Sequence, residues 1–333
     1  MNKRYAILFF AALTFVASRA QDPQFSQFYA VPTYISPAFA GTSLQSRFGL
    51  AYRNQWPSIP GAFVTYNFAF DHYMKNLNSG IGILATHDKA GSGGMRYTSI
   101  AAQYAYEIEL KRKTFIRPAL QVGYVSHAVD YTKLVFGDQL LNGSDVGSLD
   151  AYQGEGVSYM DIGAGILYFT PDYWLGASVH HLNEPNQSLL GAEASIPRKL
   201  SVHGGYRHRI KTPLIREKGQ FVVAAFNYRA QEKFDQMDIG AYYEVNPFSI
   251  GLWYRGIPMF KAYKPGYGNN DAVAVSFGYQ VNDLRIGYSY DLTSSKLISS
   301  TGGAHEITLV YEIADRRRKK SVVKRRVVPC AKF

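Results

Sequence analysis

Eight histidines (His72, His87, His127, His180, His181, His203, His208 and His305) and one cysteine, Cys330, are the side chains best suited to metal binding or nucleophilic chemistry. Their spacing supports neither. His180 and His181 are adjacent, so on a strand they are expected on opposite faces, unable to share one ion. His203 and His208 are five apart and should also diverge. There is no His-Glu-x-x-His, no cysteine pair and no acidic calcium loop. A Ser/His/Asp set could assemble across neighbouring strands, as a barrel-embedded lipase would need, but no spacing singles one out. Ala90-Gly91-Ser92-Gly93-Gly94-Met95 looks like a phosphate cradle but lacks the following Lys-Ser/Thr, so it reads as a loop. No catalytic residue, metal site or cofactor is expected, and the chain is not read as an enzyme. Cys330 reads as a spacer or packing residue, with an intermolecular disulfide or lipid attachment as the alternative.

A second kind of chemistry is charge. The 333 residues carry 36 Lys+Arg and 25 Asp+Glu, a net of +11, which in one compact domain would suggest a nucleic-acid or acidic-surface binder. The charge is not spread evenly. Lys3 and Arg4 precede an apolar run from Tyr5 to Val16, and Ala17-Ser18-Arg19-Ala20 offers small residues before Gln21, the pattern of a secretory leader. At the other end stand Arg316, Arg317, Arg318, Lys319, Lys320, Lys324, Arg325, Arg326 and Lys332, opposed from 314 onward only by Asp315. Leader and tail hold 12 of the cations and one acid, which leaves residues 21–313 with 24 of each sign. The tail closes on Val327-Val328-Pro329-Cys330-Ala331-Lys332-Phe333. A basic arm with an apolar tip suits docking on an acidic periplasmic partner, with forked contacts from the arginines and with Pro329, Cys330 and Phe333 in a pocket. An exported chain meets no genome, so a nucleic-acid partner is not expected.

The neutral body has to position these ends. Charged residues make up 18% and aromatics 15%, with 26 Tyr and 20 Phe, which excludes disorder; one cysteine excludes a disulfide scaffold. No mature segment approaches the ~20 apolar residues of a spanning helix. What recurs is period-2 alternation. Val64, Tyr66, Phe68 and Phe70 share one face, as do Met160, Ile162, Ala164, Ile166 and Tyr168, and as do Ile307, Leu309 and Tyr311. Fourteen such segments run from Phe48 to Tyr311. Tyrosines stand near their ends with aliphatics between, like an aromatic girdle on a lipid-facing band; the opposite faces hold Gln103, Asp161, Asn227, Ser289, Glu306 and Thr308, as a barrel lumen tolerates.

Connection lengths alternate. Gaps at 54–61, 88–94, 133–157, 182–197, 230–235, 255–271 and 293–303 are long on the whole. Those at 72–78, 111–113, 171–172, 210–219, 246–247 and 281–283 are short on the whole, with 230–235 and 210–219 running against their sets. That rhythm predicts an all-β protein, a transmembrane antiparallel β-barrel of 14 strands with external loops, periplasmic turns and both termini periplasmic. Secreted β-sandwiches alternate too, but without the long/short rhythm. The domains follow: a Sec signal peptide at 1–20, an N-terminal periplasmic or mouth segment at 21–45, the barrel at 46–312 and a basic tail at 313–333. The segment at 21–45 is expected in the barrel mouth or on a partner, because Phe25, Phe28, Tyr29 and Tyr34 would otherwise sit in water.

Particular blocks resemble a known family. Asp22-Pro23-Gln24-Phe25-Ser26-Gln27-Phe28-Tyr29 with Pro37, Ala38 and Gly41 resembles the mature start of the PorP/SprF proteins of the Bacteroidetes type IX secretion and gliding system. Arg53-Asn54-Gln55-Trp56-Pro57-Ser58-Ile59-Pro60-Gly61 is similar to their second block, Gly302-Gly303-Ala304-His305-Glu306-Ile307 to the last-strand block, and Pro329-Cys330-Ala331-Lys332-Phe333 to a common tail. Ser36 stands where Asn is usual, and Ala331 where Pro is. The resemblance implies a non-enzymatic outer-membrane barrel surrounded by lipid and working with the periplasmic ring and peptidoglycan-linked components. It also implies, for some relatives, a secreted cargo recognised through its C-terminal domain. The rival readings are a general diffusion porin and an outer-membrane hydrolase.

Overall fold

The computed structural model describes residues 22–142, 156–189, 191, 193–210, 220–264, 267–293, 301–313 and 328–329. Alternation becomes strand throughout: β1 Ser46–Gln55, β2 Phe63–Met74, β3 Ser79–Ala90, β4 Met95–Tyr106, β5 Ile108–Lys111, β6 Thr114–Ala128, β7 Val157–Phe169 and β8 Tyr173–His180. β9 Lys199–Ile210, β10 Gln220–Gln231, β11 Phe234–Val245, β12 Phe248–Lys264, β13 Tyr267–Val281, β14 Leu284–Thr293 and β15 Ala304–Ile313 complete the set. β4 and β5 share one register against β6, Ala105↔Ala119 continuing to Ile108↔Ile116, so they form one stave interrupted at Glu107. Each stave pairs antiparallel with its chain neighbours, and β1 closes on β15 from Ser46↔Ile313 to Gln55↔Ala304. The result is a closed barrel of 14 staves, and no helix among the described residues is long and apolar enough to cross a membrane.

The two faces of each strand separate as the alternation requires. Leu50, Tyr66, Ile100, Leu120, Leu175 and Leu252 point outward and are exposed, while Asn67, Gln103, Asn227, Ser289 and Glu306 point inward and are buried. The outward set is what a lipid-embedded band needs.

Two expectations change. The gap at 255–271 is not a loop, since β12 runs to Lys264 and β13 starts at Tyr267, so this hairpin projects past its neighbours. The even stave count does place the start of β1 and the end of β15 at one end, with the turns at 75–78 and 246–247. The first described residue does not lie there. Residues 22–45 form a strap inside the barrel, and Asp22 lies at the opposite end, beside the loop residue His181 and the first residue of β9, Lys199. The strap then descends the lumen to the turn end, where Gly41 donates its N–H to Asp71 Oδ2 at 2.8 Å before β1 starts. Phe25, Phe28, Tyr29, Ala38 and Phe39 are buried there in one apolar cluster, with Tyr34 packed against it.

The barrel wall is shaped to admit the strap. A Cβ at Gly80 would stand 1.9 Å from the Ala40 carbonyl oxygen, and one at Gly287 2.2 Å from Gln27 Oε1. A side chain at Gly80 would displace the strap's backbone, and one at Gly287 would push aside the Gln27 side chain.

Candidate functional site

The strap is held by three polar clusters, one near each end and one between. The central cluster forms because charges on the inward faces of β1, β10, β11, β12, β14 and β15 converge in the lumen. Arg53 Nη2 meets Asp291 Oδ2 at 2.8 Å and its Nη1 meets Glu306 Oε2 at 3.2 Å. Arg255 reaches Asp291 Oδ2 at 3.1 Å and Asp238 Oδ1 at 2.9 Å, and Arg229 meets Asp238 Oδ2 at 2.6 Å. Three guanidiniums thus face three carboxylates.

Ser26 of the strap sits at the centre of that array. Its hydroxyl donates to Asp291 Oδ2 at 2.6 Å and accepts from Arg53 and Arg255, each at 2.8 Å. One O–H and two lone pairs are all a hydroxyl has, and all three are used. The Ser26 and Gln27 main-chain N–H groups donate to the two Glu306 carboxylate oxygens at 2.7 and 2.9 Å, and Gln27 Oε1 accepts from Thr308 at 2.9 Å. For buried groups such as these, charge-assisted bonds are strong, and losing one partner leaves the other charge unpaired.

At the turn end, Arg117 is fully buried. It pairs with Glu107 Oε2 at 2.7 Å, donates through Nε to the Ala38 carbonyl at 3.2 Å and through Nη2 to the Ala40 carbonyl. Arg47 meets Asp71 Oδ1 at 2.7 Å and donates to the Phe39 carbonyl at 3.4 Å.

At the loop end, Asp22 meets Lys199 and His181 Nε2, the latter at 3.1 Å, and His181 Nδ1 meets Asp161 Oδ1 at 2.8 Å. The two adjacent histidines do not diverge as expected: β8 ends at His180, His181 has φ +57, and both rings are buried. Burial disfavours the His181 imidazolium, but the Asp22 carboxylate and the hydrogen bonds to Asp161 and Asp22 outweigh it and push its pKa up to about 9. Burial also opposes the charge on Asp22, yet Lys199 and His181 hold its carboxyl well below the usual carboxylate range.

A pH dependence follows with a fixed sign. The His181 contribution to the clasp is complete below its ordinary pKa of about 6.5 and is lost as pH rises through about 9. The Asp22 contribution is present above the ordinary carboxylate range and fails only in strong acid. A spin label at Gln24→Cys, in a Cys330→Ser background, is therefore expected to be immobile at pH 6 and to gain mobility between pH 7 and 9.5. His181→Asn should flatten that transition; a label whose mobility is unchanged from pH 6 to pH 10 would show that the His181 charge does not help hold the strap's head.

The structure gathers most of the sequence-selected motif residues into this one assembly. Asp22, Ser26, Gln27, Ala38, Gly41 and Arg53 make the bonds above. The Pro23 carbonyl accepts from Tyr34 at 2.5 Å, Phe25 packs edge-on to Tyr34 at 5.0 Å, Pro37 packs in the buried strap, and Gln55 Oε1 accepts from Arg53 at 3.4 Å. The second block then divides. Asn54 is half-buried at the end of β1, Trp56 donates its N–H to the Gly303 carbonyl at 2.8 Å, and Pro57, Pro60 and Gly61 belong to the first loop. Arg316, Arg317, Arg318, Lys319, Lys320, Lys324, Arg325, Arg326, Cys330 and Phe333 lie outside the described residues. Pro329 is described and buried, and Val328 beside it belongs to the barrel's own apolar cluster. Missed altogether were Arg47, Asp71, Glu107, Arg117, Lys199, Arg229, Asp238, Arg255 and Asp291, while Asp161 and Glu306 were read only as lumen-facing. The available signal was one or two charges on the inward face of an otherwise neutral strand. Among the described residues no group of three or more His, Cys, Asp or Glu is placed to hold a metal ion.

Set beside known families, residues 17–311 match the one described as type IX secretion system membrane protein PorP/SprF. The chain belongs to this family. The PorP/SprF match covers the strap and the barrel together, so the lumen assembly lies within the family's span. None of the curated protein sequences matches. Among solved structures, the Acinetobacter baumannii outer membrane protein Omp33 is 7% identical over 81% of this chain and 100% of its own, with a TM-score of 0.45. A TodX monoaromatic hydrocarbon channel deltaS2 mutant is 13% identical over 86% and 94%, with a TM-score of 0.46. CdiB from Acinetobacter baumannii is 8% identical over 81% and 60%, with a TM-score of 0.45.

Proposed function

We propose that this PorP/SprF protein is a non-enzymatic outer-membrane scaffold of type IX secretion, supporting export or surface anchoring of secreted proteins and tied to the periplasmic machinery by its basic tail. The observation that carries this reading is the filled lumen. A diffusion porin needs a continuous aqueous path, whereas here a clamped strap runs along the barrel interior from the loop end to the turn end. A hydrolase reading gains no support, because each histidine drawn into the strap's clusters is engaged in holding it. With Val328 and Pro329 buried in the chain itself, the tether to acidic periplasmic components falls to the basic stretch from Arg316 to Arg326.

The test is removal of residues 314–333. The truncated barrel should reach the outer membrane at normal levels but lose co-purification with periplasmic ring and peptidoglycan-linked components, and secretion of cargo carrying the C-terminal sorting domain should fall severalfold. Undiminished export and co-purification would show that the tail is not the tether.

A further inference from the structure

The barrel wall forks at the loop end. β11 pairs with β12 from Val245↔Phe248 only as far as Asp238↔Arg255, although its pairing with β10 continues to Gln231↔Phe234. Beyond that point β12 turns away at Gly256, whose φ of +145 suits glycine alone, and its register on β13 shifts to Gly256↔Asn270. Phe234 and Gln236 on one side of the fork, and Gly256 and Asp271 on the other, line a cavity of about 360 Å³. Its floor is the strap itself, through Phe25, Phe28 and Tyr34. Asn227 also lines it; that side chain is 2% exposed, and its Oδ1 has no hydrogen-bond partner.

We propose that this cavity binds an extended, uncharged stretch of another polypeptide, laid against β11 as an added strand with an apolar side chain seated on the strap's aromatic floor. Three features select that ligand. Where β11 outruns β12 it has, among the described residues, a strand on its β10 side only, and an extended main chain can continue the ladder on the other. Most charged groups in the lining are already engaged, Asp22 with Lys199, Arg229 with Asp238, Asp271 with Gln236 and Asp235 with the Tyr228 hydroxyl, and Lys233 stands exposed at the turn, so a charged ligand gains little inside the cavity. The buried Asn227 amide oxygen lacks a hydrogen-bond donor, which a peptide N–H supplies and a lipid tail does not. The proposal rests on the reading that the barrel handles secreted polypeptide, and it gives that reading a binding site.

The test uses the purified full chain in detergent and a fluorescein-labelled octapeptide of alternating Thr and Leu. A second octapeptide has alternate amides N-methylated to break one edge of its ladder. Anisotropy should show saturable binding of the first and at least tenfold weaker binding of the second. Asn227→Leu should weaken the first at least tenfold. A bulky maleimide on Lys233→Cys, an exposed turn position, should block it in a Cys330→Ser background without altering the barrel before labelling. Equal binding of the two peptides, or binding of neither, overturns the proposal. That failure leaves the secretion reading standing, which falls instead if removing the whole protein leaves export unchanged.

Discussion

Deleting residues 23–40 is expected to turn an electrically silent barrel into one that conducts in steady steps across a planar bilayer. Among the described residues the strap runs along the lumen, and the wall around it carries hydrogen-bonding side chains that water can satisfy once it leaves. Eight-stranded barrels are filled by their own side chains and 16–18-stranded porins are open, so a 14-stave wall has room for water when nothing is threaded through it. The deletion also removes Phe25, Phe28, Tyr29 and Phe39 from the apolar cluster, each worth about 1.5–3 kcal/mol of burial, so the open barrel should unfold at distinctly lower denaturant. Gly287→Phe provides a second route that keeps every strap residue. Its side chain takes the space of Gln27 Oε1, so it should produce intermittent opening rather than a permanent pore. If both proteins stay silent, the strap is not what closes the lumen.

The barrel was legible in the sequence because lipid imposes a strict rule. Within the lipid-facing band every second residue must be apolar, and each of the 14 staves, from Phe48 in β1 to Tyr311 in β15, carries such a run. The β12–β13 hairpin was misread where that rule lapses. From Gly256 onward its composition is rich in Gly, Pro and Asn, which signals a loop within a membrane band but is tolerated in a ribbon that projects beyond its neighbours. The strap was legible as a problem, since Phe25, Phe28, Tyr29 and Tyr34 had to be covered, but its place was not. What covers it is contributed one residue per strand: Arg53 meets Asp291 across 238 positions and Glu306 across 253. No local spacing encodes such a pair. His180 and His181 failed for a different reason, because the strand rule of alternate faces stops one residue too early to apply to both.

Arg53→Ala should be the most damaging single substitution in the barrel. Arg53 is 3% exposed, and it bonds Ser26, Asp291 and Glu306 at once. Its loss leaves Glu306, which is fully buried, with the strap's two main-chain N–H groups and no cation. Breaking one side of a buried pair costs about 3–5 kcal/mol, and here one side chain serves two carboxylates. Arg255 still holds Asp291, so the collapse is local: the strap should loosen at Ser26 and Gln27 while the turn-end clamp at Arg117 persists. Chemical denaturation of the folded barrel should show the loss in stability, and bilayer recordings should show flickering conductance short of that of the strap deletion. Two companions separate charge from geometry. Arg53→Lys keeps the cation but not the fork and should recover only part of the loss, because one ammonium cannot match two carboxylates and a hydroxyl in a plane. Arg53→Met with Glu306→Gln removes both members of one pair and should be milder than Arg53→Ala alone, since no unmatched carboxylate remains at Glu306. Should the double variant prove additive instead, the cost lies in lost packing and not in the stranded charge.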